Sequence, residues 1–259
     1  MSDLLKISLV QIDLVWGNVE GNLKRISDLL LPHKNQTDLI LLPEMFSSGF
    51  MMENKQAIAP KAAITLDWMK QQAKETNAAI LGSIIVEEEG DYYNRLYCVD
   101  GEKILCSYDK RHLFRMGEED HHFVGGTERL IFTLGKWRIC PLVCYDLRFP
   151  VWSRNKNDYD ILLYVANWPE SRRDVWNTLL KARSIENQSF VVGVNRIGQD
   201  ELGLSYAGDS SLFDAKGKLM GKCADHQEEI ITLEIKLEDL NQFRRKFPVH
   251  LDADSFRII

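Results

Sequence analysis

Short apolar runs alternate with segments of helical period along most of this chain, and that alternation constrains the fold more than any other feature. Leu5–Ile12, Asp38–Leu42, Ala79–Val86 and Phe190–Asn195 read as strands. Between them, Asn22–Leu31, Thr65–Thr76 and Asp174–Asn187 read as helices, the first with Leu23, Ile26, Leu29 and Leu30 on one face. Asn94–Val99 and Lys103–Tyr108 predict a hairpin around Asp100-Gly101, and Ile131–Leu134 with Arg138–Val143 a second pair across Gly135-Lys136. Leu113–Gly126 reads as a polar loop. The class is α/β.

The second half partly echoes the first. Asp160-Ile161-Leu162-Leu163-Tyr164 resembles Asp38-Leu39-Ile40-Leu41-Leu42. Glu186-Asn187-Gln188, before a strand containing Gly193, resembles Glu75-Thr76-Asn77, before one containing Gly82. No Pro/Gly/Ser-rich linker divides the chain, so two similar halves sharing one core are expected. Residues 1–243 then form a single domain, and 244–259 an extended C-terminal tail that ends in the apolar Phe256-Arg257-Ile258-Ile259.

Composition excludes several functions. The 259 residues include 38 acidic and 32 basic side chains, a net charge of −6. A nucleic-acid binder usually carries a basic excess, and a membrane-surface helix a basic face. KRHLFR and FRRKF are only short local clusters. No apolar run approaches the ~20 residues that cross a bilayer. The N-terminal MSDLLKISLVQID has an early Asp and no apolar leader. Five widely spaced cysteines, Cys98, Cys106, Cys140, Cys144 and Cys223, without CxxC, read as reduced thiols of a cytoplasmic protein.

Three reactive side chains follow apolar strands: Glu44 after Leu39–Pro43, Lys110 after Lys103–Tyr108, and Cys144 after Ile139–Val143. Ligands of open α/β folds gather at strand ends. If these strands are neighbours, a carboxylate, an ammonium and a thiol converge. The carboxylate can take the thiol's proton as general base. The ammonium can stabilise the oxyanion formed when sulfur attacks a carbonyl or nitrile carbon, with the Tyr145 backbone N–H as a second donor. Taken singly, each has a bland reading: a core thiol, a capping carboxylate, a solvated lysine.

The surrounding sequence resembles the nitrilase superfamily of carbon–nitrogen hydrolases. Its three signatures occur in order as Leu41-Leu42-Pro43-Glu44, Tyr108-Asp109-Lys110-Arg111-His112-Leu113-Phe114, and Pro141-Leu142-Val143-Cys144-Tyr145-Asp146-Leu147-Arg148-Phe149-Pro150. Ile7–Gln11, Asn167-Trp168, Arg183–Asn187 and Asn195–Gly198 also fit, so the resemblance covers nearly the whole chain. It implies a four-layer αββα sandwich of two mixed sheets, with Cys144 as nucleophile, Glu44 as base and Lys110 as oxyanion stabiliser. It also implies a second glutamate before the cysteine strand, here Glu119 with the adjacent Glu118 as alternative. By analogy it implies a homodimer or higher homo-oligomer.

Cys-Tyr-Asp-Leu-Arg-Phe-Pro followed by Asn167-Trp168-Pro169 resembles the omega-amidase branch, which hydrolyses the terminal amide of 2-oxo acids such as 2-oxoglutaramate and 2-oxosuccinamate. Amidases of deaminated glutathione, and a non-catalytic scaffold that binds a partner, are the alternatives. An omega-amide needs a cation for its carboxylate, and Arg172 and Arg173 are the candidates. Arg148, close to Cys144, suits a structural salt bridge instead. Trp168 and Trp152 are candidates to line the pocket, while Trp176 suits the core.

Other motifs carry less. Glu118-Glu119-Asp120-His121-His122 has metal-ligand types but no ligand spacing, and reads as a solvated acidic loop. His112, His121 and His122 lack a cysteine-protease context. Gly203-Leu204-Ser205-Tyr206-Ala207-Gly208 has the wrong spacing for a nucleophile elbow. With no P-loop and no GxGxxG, neither nucleotide nor other cofactor is implied.

Overall fold

Leu39-Ile40-Leu41 shows how the chain sorts its apolar residues. Leu39 and Leu41 join the core between two sheets, while Ile40 and Leu42 join a second core beneath helices. All four side chains are buried. A strand covered on both faces needs this continuous apolar run. The computed structural model describes residues 3–258.

The strands are β1 (Leu4–Gln11), β2 (Leu39–Leu41), β3 (Ala79–Glu88), β4 (Asp91–Asp100), β5 (Lys103–Asp109), β6 (Phe132–Leu134) and β7 (Trp137–Val143). They continue with β8 (Ile161–Ala166), β9 (Phe190–Asn195), β10 (Ile197–Gln199), β11 (Ser205–Ala207), β12 (Ser211–Phe213), β13 (Leu219–Lys222) and β14 (Glu229–Lys236). One six-stranded sheet runs β14-β1-β2-β3-β4-β5 and the other β13-β12-β9-β8-β7-β6, while β10 and β11 form a separate hairpin. Both sheets are mixed, with parallel centres and antiparallel margins. Helices Val19–Leu30 and Ala62–Thr76 cover the first sheet through Leu23, Ile26, Met69 and Ala73. Helix Arg173–Asn187 covers the second, with Trp176 and Leu180 in its core. There Gly193 lets the helix approach: a Cβ would lie 2.5 Å from Leu180 Cδ1. This is the four-layer αββα sandwich the resemblance implied.

The echo between halves has a physical basis. The Asp38 carboxylate accepts from Lys6 N at 2.8 Å, and Asp160 from Arg138 N at 3.1 Å, each tying a central strand to its parallel neighbour. Asn77 and Gln188 end their helices in the left-handed region, at φ 57° and 44°. The halves interlock, because β14 from the C-terminal part pairs along the whole of β1.

Two boundaries and the setting of one loop differ from those read in the sequence. The first helix begins at Val19, where Asn18 caps it by accepting from Gly21 N at 3.0 Å. The tail does not begin at Arg244: helix Leu237–Lys246 runs past it. Arg244 is buried, donating to Asp160 Oδ1 at 2.9 Å, Tyr159 O at 2.8 Å and Gln188 O at 2.9 Å. Irregular chain follows the turn Val249–Leu251, with Lys156 over the Phe256 ring at 4.5 Å; Ile259 lies outside the described residues. The polar loop Leu113–Gly126 is not wholly solvated, since Glu119 and Phe123 are buried.

Candidate active site

Glu44, Lys110 and Cys144 leave the ends of β2, β5 and β7, and the two sheets bring them together. Lys110 Nζ donates to Glu44 Oε1 at 2.9 Å and to Glu119 Oε1 and Oε2 at 2.9 and 2.8 Å. All three side chains are buried. Glu119 reaches inward because a pair of 3-10 turns, Arg115–Gly117 and Glu119–His121, folds the loop back, and its Oε2 accepts from Phe114 N at 2.6 Å. Glu118 is exposed. The second glutamate of the cluster is therefore Glu119.

Two asparagines missed in the sequence hold this cluster. Asn94 of β4 donates through Nδ2 to Glu44 Oε1 at 2.7 Å and to Glu119 Oε1 at 3.4 Å. Asn167, just after β8, donates its backbone N–H to Glu44 Oε2 at 2.8 Å and its Nδ2 to Glu44 O at 2.7 Å. Asn167 belonged to a recognised motif; Asn94 gave no signal beyond its place at the start of a strand-like run.

Cys144 occupies the left-handed region, φ 46°, at the head of the 3-10 turn Cys144–Arg148. That conformation is costly for a residue with a Cβ and marks a constrained position. Its Sγ lies 3.9 Å from Asn167 O. The Tyr145 N–H follows in the first turn, where amides have no earlier carbonyl of the turn to bond. Burial, and then the Glu44 charge, push the Cys144 thiol well above its ordinary value, while Lys110 pulls it down. Burial opposes the Lys110 ammonium, but Glu119 and Glu44 outweigh it and hold the ammonium above its ordinary value. Burial is also the main cause that raises the Glu119 carboxyl, against the pull of Lys110.

A cavity of about 130 Å³ opens on these groups. Trp16, Phe50, Phe114, Leu202 and Leu204 give it apolar walls, and Arg148, Arg172 and Trp168 also line it. Arg172 lies over the Phe114 ring at 5.1 Å and Arg148 over the Trp168 ring at 5.4 Å. Neither guanidinium has an ion-pair partner among the described residues. Arg148 therefore lacks the salt bridge read for it in the sequence.

Arg173 is a correction. It begins the helix Arg173–Asn187 and turns away from the cavity, donating to Asp209 at 3.0 and 2.8 Å and to Asp225 at 2.6 Å. Trp176 is fully buried, and Trp152 donates to Tyr108 OH at 3.0 Å. His112 bonds Asp146, His122 approaches Lys55 at 3.1 Å, and His121 is exposed. No group of three or more His, Cys, Asp or Glu able to hold a metal ion occurs among the described residues. No helix among them is long and apolar enough to cross a membrane.

The carbon-nitrogen hydrolase model matches residues 6–245, a span that contains every group of this site. The chain belongs to the carbon-nitrogen hydrolase family. It is thereby a hydrolase of carbon–nitrogen bonds other than peptide bonds. This hydrolase is 44% identical to omega-amidase YafV of Yersinia enterocolitica, covering 98% of this chain and 99% of that one. It is 32% identical to 2-oxoglutaramate amidase of Bacillus subtilis, over 95% and 96%. Among solved structures, XC1258 of Xanthomonas campestris, a CN-hydrolase superfamily protein with an arsenic adduct in its active site, superposes on the hydrolase with TM-score 0.96. The two share 42% identity over 99% of each chain.

Proposed function

We propose that this hydrolase cleaves the terminal amide of small 2-oxo-acid omega-amides, of the 2-oxoglutaramate and 2-oxosuccinamate type, through a Cys144 thioester. Cys144 Sγ attacks the amide carbon as its proton passes to Glu44. Lys110 Nζ and the Tyr145 N–H receive the oxyanion. Glu44 returns the proton to the departing nitrogen, and ammonia leaves. Water, deprotonated by Glu44, then opens the thioester through a second oxyanion, releasing the dicarboxylate and restoring the thiol. Glu119 holds Lys110 in place and shares the charge of the cluster. The thiol is neutral at rest, so proton transfer accompanies attack.

One observation supports the acidic substrate above all: two unpaired guanidiniums, Arg148 and Arg172, line the cavity that opens on Cys144. A guanidinium suits a carboxylate through paired hydrogen bonds, and Trp168 supports one of them from below. An adjoining groove of about 410 Å³ carries Glu53, Glu118 and Glu201, whose charges oppose the second carboxylate of a longer substrate such as deaminated glutathione. Homo-oligomerisation belongs to the same reading and rests on family analogy; light scattering tests it.

The deciding assay is ammonia release from an acidic omega-amide and from a neutral amide of similar length. Arg148→Ala and Arg172→Ala should lower kcat/KM for the acid at least tenfold more than for the neutral analogue. Equal losses on both would remove carboxylate recognition by these arginines. A wild-type preference for nitriles or neutral amides would remove the omega-amide reading.

A further inference from the structure

Asp146 lies two residues after Cys144 and is fully buried, yet the reaction sequence above leaves it without a task. Its carboxylate accepts four hydrogen bonds from both sides of the site. On the nucleophile's side, Val143 N donates to Oδ2 at 3.0 Å, pinning the residue before the strained Cys144. On the lysine's side, Tyr108 OH donates to Oδ2 at 2.8 Å, and His112 donates its backbone N–H at 3.0 Å and its ring Nδ1 at 2.7 Å to Oδ1. A carboxylate only accepts, so His112 Nδ1 carries a proton. Tyr108 and His112 each lie two residues from Lys110, on opposite sides of it along the chain.

The rings around Asp146 reinforce the same junction. His112 stacks on Phe149 at 3.7 Å and 6°, and Phe149 meets Tyr145 edge-on at 5.2 Å. Tyr145 in turn meets Phe114 at 5.1 Å. The segment 108–114 and the turn 143–149 are thus joined both by hydrogen bonds and by aromatic contacts.

We propose that Asp146, with His112 as its partner, is a positioning pair that fixes the Cys144 thiol relative to the Lys110 ammonium. The proposal rests on the reading of Cys144 as nucleophile and Lys110 as oxyanion stabiliser. Attack and oxyanion capture must happen at one carbon, so a small displacement of either group lowers turnover while leaving substrate binding at the arginines intact. Asp146 acts only through its neighbours and touches no reacting atom.

The test compares Asp146→Asn, His112→Ala and His112→Asn in the full chain, using any amide the wild-type enzyme cleaves. Asn at 112 can place an amide N–H near the position of the imidazole Nδ1–H. Asp146→Asn should lower kcat at least a hundredfold and His112→Ala at least tenfold, both with KM within twofold of wild type. His112→Asn should recover most of the loss. The proposal fails if His112→Ala keeps wild-type kcat, if KM rises in step with the fall in kcat, or if His112→Asn is no better than His112→Ala. Should Asp146→Asn not fold, the His112 pair decides alone. Cys144→Ala, assayed alongside, separates the two levels. Activity in that variant overturns the thioester reading, whereas its inactivity beside unaffected His112 variants overturns only the positioning role.

Discussion

Replacing Lys110 by Met removes a buried cation while keeping most of its stem. Its ammonium lies 2.9 Å from Glu44 Oε1 and 2.8 Å from Glu119 Oε2, with all three side chains shielded from water. At an effective dielectric of about 20, one unit pair at about 3 Å is worth roughly 5 kcal/mol. Much of that offsets desolvation, so the measured loss on breaking such a cluster should be about 3–5 kcal/mol. The loss should depend on pH. Without the ammonium, the Glu119 carboxyl, which burial already raises, loses the charge that pulls it down and is held further above its unfolded value. A group whose pKa is raised on folding binds more protons in the native state, so stability falls as pH rises from the unfolded value through the folded one. Lys110→Met should therefore be markedly less stable at about pH 8 than at about pH 5, relative to wild type. Adding Glu119→Gln should return part of the loss, with a coupling of about 0.5–3 kcal/mol. Urea unfolding at the two pH values reads the stability, and ammonia release should fall by ~10²–10³ in kcat. A variant with wild-type midpoint and turnover at the higher pH would refute both the buried-cation argument and the oxyanion role.

Two further outcomes follow from single contacts. Glu44 is the second largest cause that raises the Cys144 thiol, so Glu44→Gln should speed alkylation of Cys144 by iodoacetamide near neutral pH while ammonia release falls by ~10² or more. A parallel fall of both rates would show that Glu44 does not repel the thiolate. Arg173→Ala should lower stability by about 1–3 kcal/mol through loss of its charged hydrogen bonds to the buried Asp209, with kcat/KM for the acidic amide unchanged. A raised KM with unaltered melting would return Arg173 to the binding site.

How far the site could be read in advance depended on what each residue's position leaves in a sequence. Glu44 and Cys144 each end a run that burial forces to be apolar, so their polarity stands out, while Lys110 follows the half-exposed strand β5 and is marked by the motif around it. Asn94, Asn167 and Asp146 do not stand out: a buried polar residue is made tolerable by partners distant in the chain, and Asn167 meets Glu44 across 123 positions. Arg172 and Arg173 are adjacent, yet one closes a 3-10 turn beside the cavity and the next begins a helix against Asp209. Only the path of the backbone separates them. The strands β10–β13 are short and mixed in polarity, too brief for a period to emerge. Arg244 sits in a basic cluster that reads as solvated, and its burial depends on acceptors from Tyr159, Asp160 and Gln188.

The distribution of the reactive groups between the sheets gives the sandwich a functional sense. Glu44 and Lys110 come from the first sheet and Cys144 from the second, so no single layer contains the cluster. Two polar junctions cross between the layers beside the site. Asn167, just after β8 of the second sheet, holds Glu44 of the first, and Tyr108 in β5 with His112 just after it holds Asp146 beyond β7. The apolar core supplies the force that presses the sheets together, but such contact is non-directional and tolerates small slides. Hydrogen bonds to buried carboxylates do not, because a slide that lengthens them leaves charge unpaired in a dry interior. Register between the Cys144 thiol, the Lys110 ammonium and the Glu44 carboxylate is therefore set where these polar groups meet, and stability is set mainly elsewhere. Core truncations far from the cavity should accordingly lower unfolding free energy with little change in kcat, while changes at the two junctions should lower kcat by more than their cost in stability implies.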